Sequence, residues 1–128
     1  MLHILLVSVR RESIKAFFEG LSSDPGIHLD QVASGTEALT VARAKCPHLI
    51  IIDSELPDTE SLDLVKKIIG VNAMVNTAVM SALWDHEFHE AAEGLGILCR
   101  LPLDPGPGEA DGLLKKLRSV LSQEAIFI

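Results

Sequence analysis

Tyrosine is absent from these 128 residues, tryptophan occurs once and phenylalanine four times, so the core must be filled by Leu, Ile, Val and Ala. Hydrophobic residues still make up 48% of the chain. That composition suits a parallel sheet covered by helices on both faces, whose strands read as nearly continuous aliphatic runs. Cysteine is scarce too. Cys46 and Cys99 lie far apart and form no CxxC pair, and they read as reduced structural thiols rather than a disulfide or a metal site. There is no basic excess: 11 Lys and Arg stand against 18 Asp and Glu, a formal charge of −7. Such a balance offers nothing to hold nucleic acid phosphates and argues against direct nucleic acid binding. No apolar run approaches the roughly 20 residues that span a bilayer, so no membrane association is expected. Met1-Leu2-His3-Ile4 does not open a secretion signal, and the expected location is cytoplasmic. At this length one domain over residues 1–128 is expected, with roughly two-thirds of the unfolded surface buried on folding.

What is present alternates regularly. His3 to Val7 is a short apolar run that reads as a buried strand, and Ile14, Phe17, Phe18 and Leu21 recur on one helical face until Asp24-Pro25-Gly26 stops them. Ile27 to Val32 alternates apolar with polar and suits a strand nearer the sheet edge. Ser34-Gly35-Thr36-Glu37 has the form of a capping box and starts a helix that runs to about Lys45. Pro47 closes it, and His48 to Asp53 is the clearest strand, its unbroken Leu-Ile-Ile-Ile run implying burial on both faces. Leu62, Val65, Ile68 and Ile69 mark a third helix and Thr77 to Met80 a fourth strand. A helix capped by Asp85 carries Phe88, Ala91, Ala92 and Leu95 and ends at Gly94 or Gly96, before a strand at Ile97 to Leu101. Pro102 to Gly108 reads as a loop, and Leu113, Leu114, Leu117, Val120 and Leu121 give the last helix its buried face. Five strands joined through helices predict an α/β fold: a five-stranded, doubly wound parallel sheet of flavodoxin-like type with right-handed crossovers. The segment Glu124 to Ile128 is left open as a docking segment, the end of the final helix, or a remnant of a longer protein.

In open parallel sheets, reactive groups gather beyond the carboxyl ends of the strands, where Asp53 stands. An aspartate in that place also serves simply to bond the turn or cap the next helix. The stretch Ile50-Ile51-Ile52-Asp53-Ser54-Glu55-Leu56-Pro57 resembles the third strand of bacterial response regulator receiver domains, with their phosphoacceptor aspartate and the proline four residues later. Ser81-Ala82 resembles the family's hydroxyl switch residue and its small neighbour, and Leu101-Pro102 falls where the family has a lysine-proline pair. The resemblance covers about 120 residues in element order and spacing. It implies a switch in which the Asp53 carboxylate accepts a phosphoryl group, Ser81 donates to it, and the face around the fourth helix and fifth strand repacks to change partners.

The sequence also departs from the family. Phosphoryl transfer there needs Mg²⁺, which takes hard oxygen ligands that include carboxylates. Aligned without gaps, the places of the family's acidic pair hold Ser8 and Val9, followed by Arg10 and Arg11. Asp53 alone remains as a metal ligand, so Mg²⁺ is a doubtful cofactor. Glu12 is the nearest carboxylate but is expected on the first turn of the helix, and Glu55 reaches only the rim. Leu101 replaces the lysine, Leu98 the aromatic switch and Ser61 a glycine; Arg100 should face away from Leu101 because side chains alternate along a strand. Arg10 and Arg11 admit two readings: an ion-paired pocket with Asp53, an arginine standing in the metal's place, or solvated side chains at a helix start.

The leading expectation is a non-enzymatic receiver domain of two-component phosphorelay signalling. Asp53 is its candidate phosphoacceptor in an atypical site, and the domain works chiefly as a protein-interaction module. Its partners would be a sensor histidine kinase or another signalling protein, or a second copy through the face of the fourth helix and fifth strand. The alternative is a flavodoxin-like small-molecule or cofactor binder, but the loop Ser8-Val9-Arg10-Arg11-Glu12 has neither the glycines nor the hydroxyl cluster of a phosphate cradle. His86 and His89, three apart beside Asp85, read as solvated surface residues rather than metal ligands, and Trp84 is open between core plug and exposed contact.

Overall fold

The computed structural model describes residues 1–10, 12–83 and 85–126, with no side-chain description for Asp85 or residues 123–126. Arg11, Trp84 and the last two residues of the segment Glu124 to Ile128 lie outside the described residues. The elements alternate as β1 (Leu2–Val7), α1 (Lys15–Ser22), β2 (Ile27–Val32), α2 (Gly35–Lys45), β3 (Leu49–Ile52), α3 (Ser61–Val71), β4 (Asn76–Met80), α4 (Asp85–Ala91), β5 (Cys99–Leu101) and α5 (Pro107–Ile126). All strand pairs are parallel, and the sheet order is β2-β1-β3-β4-β5. The order reverses at β1 and β3, which places the crevice of an open α/β sheet over the carboxyl ends of these two strands. The expected five-stranded, doubly wound parallel sheet is the architecture observed.

The core forms two layers, split by side-chain parity. Ile4, Leu6, Leu49, Ile51, Ala78 and Met80 pack beneath α1 and α5 with Phe17, Leu21, Leu113 and Leu117. Leu5, Val7, Ile50, Ile52 and Val79 face α2, α3 and α4 with Ala38, Ala42, Leu64 and Phe88. β3 contributes to both layers and is fully buried, as its unbroken aliphatic run requires. No helix among the described residues is long and apolar enough to cross a membrane.

Several boundaries differ from the sequence reading for local reasons. α1 starts only at Lys15, after Glu12 to Ile14 form a turn, so Glu12 precedes the helix rather than occupying its first turn. α4 stops at Ala91, and Gly94 and Gly96 then take φ values of +82° and +62°, which favour glycine. β5 is only three residues long, and α5 begins at Pro107, inside the expected loop. Proline is suited to a first helical turn, where its missing N–H costs nothing. α2 opens as expected: Ser34 Oγ accepts from the Glu37 amide at 3.2 Å, while the Glu37 carboxylate accepts from Ala33 N at 3.2 Å.

Candidate functional site

Strand register builds the site. Val7 pairs with Ile52, Ile52 with Val79, and Met80 with Leu101, so the next position along sets Ser8, Asp53, Met80 and Leu101 in one transverse row. All four share the parity of the layer beneath α1 and α5. Asp53 lies between Ser8 and Met80 in this row, its side chain fully buried and its amide donating to the Val7 carbonyl at 2.9 Å.

A buried carboxylate needs partners for both oxygens. Ser8 Oγ donates to Oδ2 at 2.6 Å. Arg10 bridges the carboxylate, Nε to Oδ2 at 2.7 Å and Nη2 to Oδ1 at 2.9 Å. The Ser54 amide donates to Oδ1 at 2.6 Å, with the Ser54 hydroxyl at 3.4 Å. Bidentate arginine–carboxylate bonding is the strongest planar match these groups make. Burial pushes the Asp53 carboxyl up, but the Arg10 and Ser8 hydrogen bonds, the Arg10 charge and the Ser54 amide outweigh it, so Asp53 titrates below its usual 3.8. The Arg10 guanidinium is raised above its ordinary value, first by its hydrogen bond to Asp53.

Arg10 does more than neutralise Asp53. Its Nη2 also donates to the Leu103 carbonyl at 2.6 Å and approaches Met80 Sδ at 3.4 Å. Nη1 reaches Asp104 at 3.2 Å and Ser13 Oγ at 3.4 Å. One side chain, from the loop after β1, thus ties the end of β3 to the loop between β5 and α5. The turn is held by the Arg10 amide, which donates to Ser8 Oγ at 3.0 Å.

The other candidate residues lie around this centre without joining it. Leu101 is buried in the layer beneath α1 and α5 and closes that end of the row with methyl groups. Arg100 points to the other side and donates to the Ser81 carbonyl at 3.1 Å. Ser81 Oγ accepts from the Leu83 amide at 3.1 Å, and its amide donates to the Leu101 carbonyl at 3.0 Å. Ser81, Ala82, Leu83, Arg100, Pro102, Leu103 and Asp104 line an open crevice of about 580 Å³ beside the row. Glu12, Glu55 and Pro57 are exposed, and neither glutamate is bonded to Asp53. Val9, in the second acidic place, is exposed too. Beyond Pro57, Asp58 turns back to the start of α2, accepting from the Gly35 and Thr36 amides at 2.9 and 3.0 Å. A Cβ at Gly35 would sit 2.6 Å from the Thr59 methyl, so this close approach needs glycine.

Four contributors to the site had no individual signal in the sequence: Ser13, Met80, Leu103 and Asp104. Leu103 acts through its backbone carbonyl, Met80 and Asp104 reach Arg10 only once the strands are in register, and Ser13 meets it through the local turn after β1. Ser54 carried a signal, since an aspartate side chain after a strand commonly accepts from the next amide. The donor set around Asp53 does not fit Mg²⁺, which needs several oxygen ligands in near-octahedral array. One carboxylate is present, its oxygens already accept from Ser8, Arg10 and Ser54, and a guanidinium occupies the adjoining space. Among the described residues no group of three or more His, Cys, Asp or Glu side chains is gathered to hold a metal ion. His86 is instead paired with Glu90 at 3.2 Å on the exposed face of α4. Cys46 and Cys99 are free thiols.

No protein-family model matches the chain. It is 29% identical over 69 residues to the uncharacterised transcriptional regulatory protein YesN of Bacillus subtilis, covering 54% of this chain but only 19% of that protein. Sporulation initiation phosphotransferase F of the same organism is 19% identical over 94 residues, 73% of this chain and 76% of that protein. Among solved structures, the CheY-like response regulator receiver domain protein of Methanospirillum hungatei superposes with a TM-score of 0.80 at 18% identity, covering 100% of this chain and 99% of that one. The chain has the fold of response regulator receiver domains.

Proposed function

We propose that this chain is a receiver domain of two-component signalling whose phosphorylation pocket has become a fixed ion pair, and that it acts as a protein-interaction module rather than an enzyme. The observation that carries the reading is the Arg10 guanidinium on both oxygens of the buried Asp53. A carboxylate that accepts from four donor groups presents no free lone pair for in-line attack on phosphorus, and Arg10 excludes the ion that would offset the incoming charge. Arg10 and Arg100 each hold a loop that would have to move in a switch, one at Leu103 and one at Ser81. The domain is therefore read as resting in one state, set by its own side chains.

Output then runs through a preformed surface. The region around α4 and β5, with the crevice beside Ser81 and Arg100, is the face we assign to a signalling partner in the cytoplasm, such as a sensor histidine kinase, or to a second copy of the chain. The alternative of a flavodoxin-like cofactor site is weakened by the same residue, because Arg10 occupies the space over β1 and β3 where a phosphate would lie.

The test is intact mass after incubation with a small-molecule phosphodonor and Mg²⁺, with Asp53→Asn as control. No adduct on the wild-type chain is the expected result. A single phosphoryl adduct present on the wild type and missing from Asp53→Asn would overturn the reading and establish a working receiver.

A further inference from the structure

At the opposite end of the sheet, three histidines stand side by side across β1, β2 and the entry to β3. His3 on β1 pairs in register with His28 on β2, and His48 directly precedes β3, whose Leu49 is aligned with Ile4. Their positions along the strands put all three on the α2 and α3 side. The His3 and His28 ring centroids are 5.2 Å apart with planes tilted by 55°, and His3 stacks on His48 at 5.9 Å and 15°.

The contacts around the three rings give them different roles. His28 Nε2 lies 3.2 Å from Asp30 Oδ2, two residues along the same strand, so the carboxylate faces Nε2 and leaves Nδ1 as the nitrogen turned away from it. A carboxylate behind the far nitrogen is the usual outer partner of a metal-binding histidine and orients its ring. The His3 imidazole has no hydrogen-bond partner among the described residues. His48 differs: its Nδ1 accepts from the His3 amide at 3.0 Å, so in the neutral ring Nε2 carries the proton and His48 is no ligand. It acts as a stacking wall for His3.

We infer that His3 and His28 form a cross-strand chelate for a divalent transition cation such as Zn²⁺ or Cu²⁺, with Asp30 orienting His28 and water completing the shell. Two imidazoles on one tetrahedral ion at ~2.0–2.1 Å hold their ring centroids about 5 Å apart, close to the spacing found here. This is a two-ligand site, with fewer protein donors than a closed structural centre, and it is open to solvent. The side chains of His28 and Asp30 are 50% and 45% exposed. Imidazole suits these cations, and their affinities place Cu²⁺ above Zn²⁺.

The test is calorimetric titration of the full, chelator-stripped chain with Zn²⁺ alone. One equivalent should bind, and His3→Ala and His28→Ala should each weaken it at least about tenfold. Asp30→Asn should weaken it by about tenfold, within the range seen for outer-shell partners. A His86→Ala/His89→Ala double variant should bind as the wild type does. In the unmutated protein, Zn²⁺ should perturb the imidazole nitrogen resonances of His3 and His28 before those of His86 and His89, a readout that depends on no variant folding. Absence of binding, wild-type affinity in His3→Ala or His28→Ala, or first perturbation at His86 and His89 would each overturn the inference.

Discussion

The two ends of this sheet treat ionisable groups in opposite ways. At the carboxyl end Asp53 is fully buried, bonded by Ser8, Arg10 and Ser54, and roofed by two loops. At the amino end His28 and Asp30 are about half exposed and meet each other across solvent. The same polar chemistry therefore carries different weight. A desolvated charge that loses its partner is costly, whereas an exposed pair is screened and contributes little to stability. A site at the buried end is fixed by folding; one at the open end is free to bind and release.

Ile51 lies fully buried between the ends, and Ile51→Ala should cost about 4 kcal/mol through lost burial and a residual cavity, measured by denaturant titration. Arg10→Ala should cost about 3 kcal/mol, because Asp53 stays buried without its cation; an Arg10→Ala/Asp53→Asn double variant should lose less than the sum of the single losses. If Arg10→Ala is neutral, the two ends do not differ and the fixed ion pair has no energetic basis. Gly35→Ala should cost about 1–2 kcal/mol, since its methyl meets Thr59 where the loop from β3 docks on α2.

The acid limb of stability tests the same contrast. The folded-state pKa of Asp53 is depressed, so its contribution is fully present above the unfolded value of 3.8 and is lost as pH falls through the lower folded value. Asp53→Asn should flatten the decline below about pH 4. Asp24 and Asp58 are also depressed, by the Arg118 side chain and by the Gly35 and Thr36 amides respectively, so part of the limb should survive. The smallest effect belongs to the open end: His28→Ala should change stability by no more than about 0.5 kcal/mol in metal-free buffer. A larger loss there would show that the imidazole row is a structural device.

Much of the architecture was legible beforehand because it rests on short-range patterns. The aliphatic run of β3, the alternation of β2 and the capping sequence at Ser34 each carry a local physical reason. Where the reading slipped, at Glu12, at Pro107 and at the shortened α4 and β5, the competing causes were turn formation, a proline suited to a first helical turn, and glycine conformations that no hydrophobic period records. That Ser8 and Val9 stand where the resemblance places an acidic pair, and Leu101 where it places a lysine, was likewise plain in the residues. What replaced them was not, since two readings of Arg10 fitted the sequence equally.

The sequence by itself determined the order of strands and helices, the two-layer aliphatic core and the place of Asp53 at a strand end, because burial and backbone propensity act over neighbouring residues. Only the tertiary structure decided that Ser8, Asp53, Met80 and Leu101 share one row, that Arg10 turns inward to bridge Asp53 and the Leu103 carbonyl, and that His3 meets His28. Those contacts join residues far apart in the chain, and their geometry is set by strand register and loop closure, which come into being when the sheet assembles.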